Sequence, residues 1–163
     1  MQRLYILCFI VMFLFIVPVQ KTQAADFTVN DAASLIAAIN TANANGEADL
    51  ITLSANITLT AIDNVGTDGN NGLPVITADG GNSLIINGNG FTINRASASD
   101  FRIIEIASGA NLSLNNLTVS DGTADLGGGI FNAGTLTVNN STISGNTVEY
   151  EGGGIRSEER RVG

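Results

Sequence analysis

The sequence predicts an all-β fold, a parallel β-helix in which short strands stack as a solenoid, and three observations point to it. Residues 112–120, Leu-Ser-Leu-Asn-Asn-Leu-Thr-Val-Ser, return as residues 136–144, Leu-Thr-Val-Asn-Asn-Ser-Thr-Ile-Ser, at an offset of 24. Gly-Gly-Gly-Ile at 127–130 returns at 152–155, at an offset of 25. Within each unit the apolar residues alternate: Leu112, Leu114, Leu117 and Val119, then Leu136, Val138 and Ile143. Period 2 places these on one face and Ser113, Thr118, Thr137 and Thr142 on the other. One unit cannot bury its own apolar face. Stacked units can, each strand pairing in parallel with its equivalent about 4.8 Å away.

The first 24 residues read as an export signal. Arg3 supplies a positive start, residues 4–17 form an unbroken apolar run, and Pro18 ends it. Thr22-Gln23-Ala24-Ala25 offers small residues for cleavage after Ala24 or Ala25. The run falls short of the roughly 20 residues of a membrane span. Cys8, the chain's one cysteine, lies inside it, so the expected mature chain has neither disulfide nor thiol chemistry.

Residues 25–49 form the expected N-terminal cap. Phe27 and Val29 make a short strand, Asn30 or Asp31 caps a helix, and Leu35, Ile36, Ile39 and Ala42 fall at helical spacing. An amphipathic helix here suits a lid over the first coil. Residues 50–60 alternate as the first coil should, and residues 63–72 have turn chemistry and read as a loop. Strands return at residues 84–86 and 91–93, with Asn87-Gly88-Asn89-Gly90 as the bend between them, and again at 103–106. The Asn pairs 115–116 and 139–140 suit tight bends and an amide ladder between coils. Residues 50–155 have room for about four coils. The last eight residues, Arg-Ser-Glu-Glu-Arg-Arg-Val-Gly, break the repeat and look like a reading frame of a sequencing adapter. They read as a non-native tail on a truncated fragment, expected to pack against nothing.

The repeats also carry a resemblance. Gly127-Gly128-Gly129-Ile130, followed by Ile143-Ser144-Gly145-Asn146, resembles the paired Gly-Gly-Ala-Ile and Phe-x-x-Asn motifs of polymorphic outer-membrane proteins, with Gly129 in place of Ala and Ile143 in place of Phe. The resemblance implies a right-handed, pectin-lyase-like parallel β-helix displayed at a bacterial cell surface or outer membrane. Ser34-Leu35, Ala38-Ile39 and Ala42-Asn43, followed by Asp49-Leu50-Ile51, are similar to the N-terminal cap of exported β-helix proteins. In one group of these the helix carries Cys-Ser-Leu-Arg-Glu-Ala; Cys, Arg and Glu are absent from residues 33–38 here.

Composition excludes several functions. Residues 25–155 hold two basic side chains, Arg95 and Arg102, against 13 acidic ones, a net charge of −11. Nucleic acid and anionic lipid surfaces are therefore excluded as partners. The chain has no His, which removes His-based acid–base catalysis and His metal sites. What remains is carboxylate chemistry. Asp100 near Arg95 and Arg102 is the candidate cluster for a polysaccharide lyase or glycoside hydrolase, weighed against a solvated turn. Asp63 and Asp68 are weighed as Ca²⁺ ligands against a plain loop. Sequons occur at Asn56, Asn116 and Asn140, and Thr135/Thr137 and Thr58/Thr60 hint at an ice-binding Thr array. No residue is assigned a catalytic, cofactor or metal role. The expected function is structural or adhesive display on an exported bacterial protein, with a carbohydrate or a cell surface as partner and self-association through an open C-terminal coil. The enzyme is the alternative.

Overall fold

The computed structural model describes residues 24–66 and 69–158, so residues 1–23 of the expected export signal and residues 159–163 of the expected tail lie outside it. The described chain begins with β1 (Asp26–Val29) and α1 (Ala32–Ala42). Asp31 is the N-cap: its carboxylate accepts from Ser34 N at 2.7 Å, and Ser34 Oγ accepts from Asp31 N at 3.2 Å. The backbone hydrogen bond from Ser34, then that from its hydroxyl, holds the Asp31 carboxyl below its ordinary value. A depressed acid stabilises the fold above its unfolded-state value and loses that contribution as pH falls through the folded one. Helical spacing turns Leu35, Ala38, Ile39 and Ala42 into the core.

The stack proper opens with β2 (Asp49–Leu53) and β3 (Ile57–Leu59), followed by β4 (Asn64–Gly66) and β5 (Gly69–Asn71). Then come β6 (Ser83–Asn87), β7 (Thr92–Arg95) and β8 (Ile104–Ile106). Next are β9 (Asn111–Asn115), β10 (Thr118–Ser120), β11 (Thr123–Leu126) and β12 (Ile130–Asn132). The last are β13 (Thr135–Asn139), β14 (Thr142–Ser144), β15 (Thr147–Glu151) and β16 (Ile155–Ser157). Equivalent strands pair in parallel, giving the sheets β1-β2-β6-β9-β13, β3-β7-β10-β14, β8-β12-β16 and β11-β15. Leu112 pairs with Leu136 and Val119 with Ile143, the register that the repeat implies.

The first two sheets send apolar rows inward. Ile51, Ile86, Leu114 and Val138 form the row of the first sheet, and Ile57, Ile93, Val119 and Ile143 that of the second. The Asn bends behave as their chemistry requires: Asn116 and Asn140 adopt φ of 53° and 46°. Their amides form a ladder, Asn140 Nδ2 donating to Asn116 Oδ1 at 2.6 Å and Asn139 Nδ2 to Asn115 Oδ1 at 2.9 Å. The Gly triplet is a close approach. A Cβ on Gly129 would sit 2.5 Å from Gly154 O and 2.8 Å from Asn146 Nδ2. Asn146 spans the two repeats from there, accepting from Gly122 N at 2.8 Å and donating to Val119 O at 3.2 Å.

Three expectations are corrected. Residues 63–72 are not a plain loop, because β4 and β5 pair antiparallel as a hairpin. Arg156 and Ser157 do not hang free: they extend β16 against Phe131 and Asn132, and the Arg156 guanidinium reaches Glu151 at 3.2 Å and Glu158 at 3.4 Å. A backbone ladder is indifferent to side-chain type, so these two residues can join it without continuing the repeat. Val138 is 37 % exposed although it continues the inward row, because no strand is stacked beyond β13 among the described residues.

The burial gradient sets a test. Leu114 is fully buried between two neighbouring strands. Leu114→Ala is expected to cost about 2–5 kcal/mol in denaturant unfolding, and Val138→Ala less than about 1.5 kcal/mol. Equal losses at the two positions would contradict this register.

Candidate functional site

Of the cluster singled out from the sequence, the structure brings Asp100 to Arg95 and leaves Arg102 apart. Arg95 ends β7 as a clamp: Nη1 donates to Ser97 O and Ser99 O at 2.7 and 2.9 Å, Nη2 to Thr123 Oγ1 at 2.8 Å, and Nε to Asp121 O at 2.8 Å. Asp100 touches it at 3.5 Å, but its side chain is 70 % exposed. Such a pair contributes about 0–1 kcal/mol, and Asp100 lines an open depression of about 240 Å³ with Asp125 and Glu149. Asp63 accepts from Asn64 Nδ2 at 2.8 Å, and Asp68 lies outside the described residues. No group of three or more His, Cys, Asp or Glu side chains able to hold a metal ion occurs among the described residues. Asn56 Oδ1 accepts from Thr92 N at 2.9 Å, so its amide fastens one strand layer to the next.

Arg102 is on the inside. Its side chain is wholly buried, 3.8 Å from the buried Glu105 carboxylate and with its guanidinium 4.9 Å from the Phe131 ring centre. Asn71 of β5 donates to Glu105 Oε2 at 2.8 Å. The β4–β5 hairpin closes over this group, and a Cβ on Gly66 would strike Glu105 Oε2 and Asn71 Nδ2. A desolvated arginine and carboxylate need each other and added hydrogen bonds, which makes this cluster a structural lock between successive layers. Arg102 is wholly enclosed, while Glu105 and Phe131 form part of the wall of a depression of about 450 Å³ beside Gly66 and Glu158.

The surface with a regular chemistry is the outer face of the second sheet. Parallel register aligns Thr92, Thr118 and Thr142 in one row and Thr58, Asn94, Ser120 and Ser144 in a second. Neighbours along a row are about 4.8 Å apart, and the rows, two residues apart, about 7 Å. None of these side chains is charged. Thr58 Oγ1 donates to Asn94 Oδ1 at 3.1 Å, so part of the row is already oriented. Beside it the Asn ladder turns the corner, where Asn89, Asn116, Thr118, Asn140 and Thr142 line an open depression of about 380 Å³. Hydroxyls and amides both donate and accept, so the face suits a ligand that does the same without charge.

Sequence reasoning saw Thr118 and Thr142 as outward but not their continuation. Thr92 joins the row at an offset of 26 from Thr118, whereas Thr142 follows at 24, and that drift hid it. The Thr135/Thr137 pair belongs to a different sheet from Thr58 and joins no common array with it.

Stacked parallel strands, inward apolar rows and a capping helix define a β-helical domain of the pectin-lyase-like kind. A family model described as "Putative pectate lyase-like adhesive domain" matches residues 26–152. The chain belongs to this family. No curated protein and no solved structure gives a significant match. Among the described residues no helix is long and apolar enough to cross a membrane, which leaves β-barrels aside.

The two arginine sites are expected to differ sharply on substitution. Glu105→Ala should cost about 3–5 kcal/mol, because it strands the buried Arg102 charge. Asp100→Asn should stay within about 0.5 kcal/mol of the parent. Urea unfolding of both variants checks this, and a stable Glu105→Ala protein would dismiss the structural lock.

Proposed function

We propose that this chain is the adhesive β-helix of an exported bacterial surface protein, and that it holds neutral carbohydrate on the outer face of its second sheet. The observation that carries the reading is the pair of uncharged hydroxyl and amide rows flanked by the Asn-lined depression. Sugars present equatorial hydroxyls that take one hydrogen bond in and give one out, as Thr, Ser and Asn side chains do. A net charge of −8 works against polyuronates and anionic lipids, so the charge selects for a neutral polymer. The adhesive description of the family supports a binding role over a catalytic one.

The architecture proposed is a right-handed parallel β-helix of four coils capped by α1. Right-handed crossovers between parallel strands are the rule in about 98 % of cases, which supports the hand. The likeness of residues 127–130 and 143–146 to outer-membrane protein repeats supports surface display. The apolar run at residues 4–17 supports export. Half-exposed Val138 and Ile155 support self-association through the last strands, β13 and β16.

Isothermal titration and glycan arrays test the binding face. Neutral polysaccharides should bind the protein and polygalacturonate should not. Thr118→Ala with Thr142→Ala should weaken that binding at least tenfold, about 1.4 kcal/mol, with little loss of stability since both side chains face outward and no like charges are set opposite one another. Unchanged binding by the double variant would remove the face from the account. Release of unsaturated products from a uronate polymer would favour a lyase instead.

A further inference from the structure

Asp49 opens β2 and is 3 % exposed, yet it enters none of the ion pairs of the described residues. One oxygen, Oδ1, accepts twice: from Ala25 N at 3.0 Å and from Asn45 Nδ2 at 2.8 Å. The charged groups around it are acidic. Glu47 and Asp79 line the same recess, with Asp79 accepting from Gly46 N and Glu47 N, and Asp26 follows Ala25 directly. A carboxylate taken out of water with neutral donors alone is costly, and a cation of matching position offsets that cost.

Ala25 is fixed from both sides, since its carbonyl also accepts from Leu50 N at 3.2 Å. The β1–β2 register begins one residue later, at Asp26 against Leu50. The nitrogen of Ala25 is thus held on the Asp49 carboxylate by the same ladder that seats the capping strand.

We infer that the export signal is cleaved between Ala24 and Ala25, and that the α-ammonium so created forms a partly buried ion pair with Asp49 that fastens the N-terminal cap. The inference rests on the export reading. Hydrolysis of the Ala24–Ala25 peptide bond consumes one water and leaves the Ala24 carboxylate and the Ala25 ammonium. The nitrogen that donated as an amide then donates as a cation, a hydrogen bond roughly twice as strong. Cleavage after Ala25 would delete this donor and leave Asp49 with Asn45. The sequence agrees with the first cut: it places Thr22 and Ala24 at the two small-residue positions, whereas the second would place Gln23 at one of them. The pair exists only after processing, so β1 and α1 are held more firmly over the first coil in the mature chain than in the precursor.

The test exploits a feature of the sequence. Lys21, the one lysine, lies before the cut, so the α-ammonium is the mature chain's only primary amine, and acetylation followed by hydroxylamine, which releases any acetyl group from the exposed Tyr150, marks it alone. The full chain is exported from a bacterial host, the product is weighed by intact mass, and its melting temperature is read before and after acetylation. A mature chain starting at Ala25 is expected, with acetylation lowering the melting temperature by about 2–8 °C. The same acetylation should leave Asp49→Asn unchanged. Should Asp49→Asn fail to fold, an NMR titration of the parent decides. The α-amino group should titrate above its ordinary value of about 7.7–8.0, so its stabilisation is present below that range and lost as pH rises through the raised value. A mature chain starting at Asp26, an acetylation shift equal in parent and Asp49→Asn, or an α-amino group at or below its ordinary value overturns the pair while the export reading stands. A product that retains residues 1–24 overturns both.

Discussion

Every layer of this protein depends on in-register parallel pairing with the layers beside it. A strand of three to five residues has too few side chains to bury an apolar face alone, and half of its backbone groups point at a neighbour. Ile86 and Leu114 are fully buried because strands lie on both sides of them. Where the stacking stops, burial stops: Val138 and Ile155 continue the inward rows yet are 37 % and 39 % exposed. At the other end α1 supplies the missing layer with Leu35 and Ile39, both fully buried.

The same pairing decides what the surface can be. A residue type repeated at the unit's period becomes a continuous row, so Thr118 and Thr142 need only one more threonine in register to make a ladder, and Thr92 provides it. Like charges in such a row would face one another about 4.8 Å apart at every layer and destabilise the stack. Hydroxyls and amides carry no such penalty, and the amides gain from stacking, as Asn116 and Asn140 do. The outer rows are thus both tolerated by the fold and suited to a neutral polyol. Asp100 lies in a turn and Arg102 and Glu105 inside, while Asp121 follows the second row and accepts from Ser120 Oγ at 2.7 Å.

The fold was legible where the repeat is regular. Between β9 and β13 Ser113 pairs with Thr137 at an offset of 24, and the inward residues, the Asn bends and the Gly corners follow from that one period. Toward the N-terminus the spacing loosens: Leu50 pairs with Ile85 and Ile85 with Ser113, offsets of 35 and 28. The extra length holds the β4–β5 hairpin, whose Asn and Gly residues show no alternation. Its place is set by the buried Arg102 and Glu105 beneath it, a long-range contact with no local signature. Arg102 was misleading for the same reason. A lone arginine near Asp100 reads as surface chemistry until β8 and β12 enclose it. The capping helix was readable because its signals are local, an Asp N-cap and apolar residues at helical spacing.

The most direct test of the stacked rows is a disulfide between neighbours within one. Cys8 precedes the expected cleavage point, so paired cysteines introduced downstream have no native competitor in the mature chain. Residues paired in register on one face of parallel strands meet the Cα separation of about 4.4–6.8 Å that a disulfide requires. Thr118→Cys with Thr142→Cys should oxidise readily to an intramolecular bond without loss of fold, and Thr118→Cys with Ile143→Cys, on opposite faces, should not. Efficient bridging of the second pair and none of the first would contradict the register, and with it the surface built upon it.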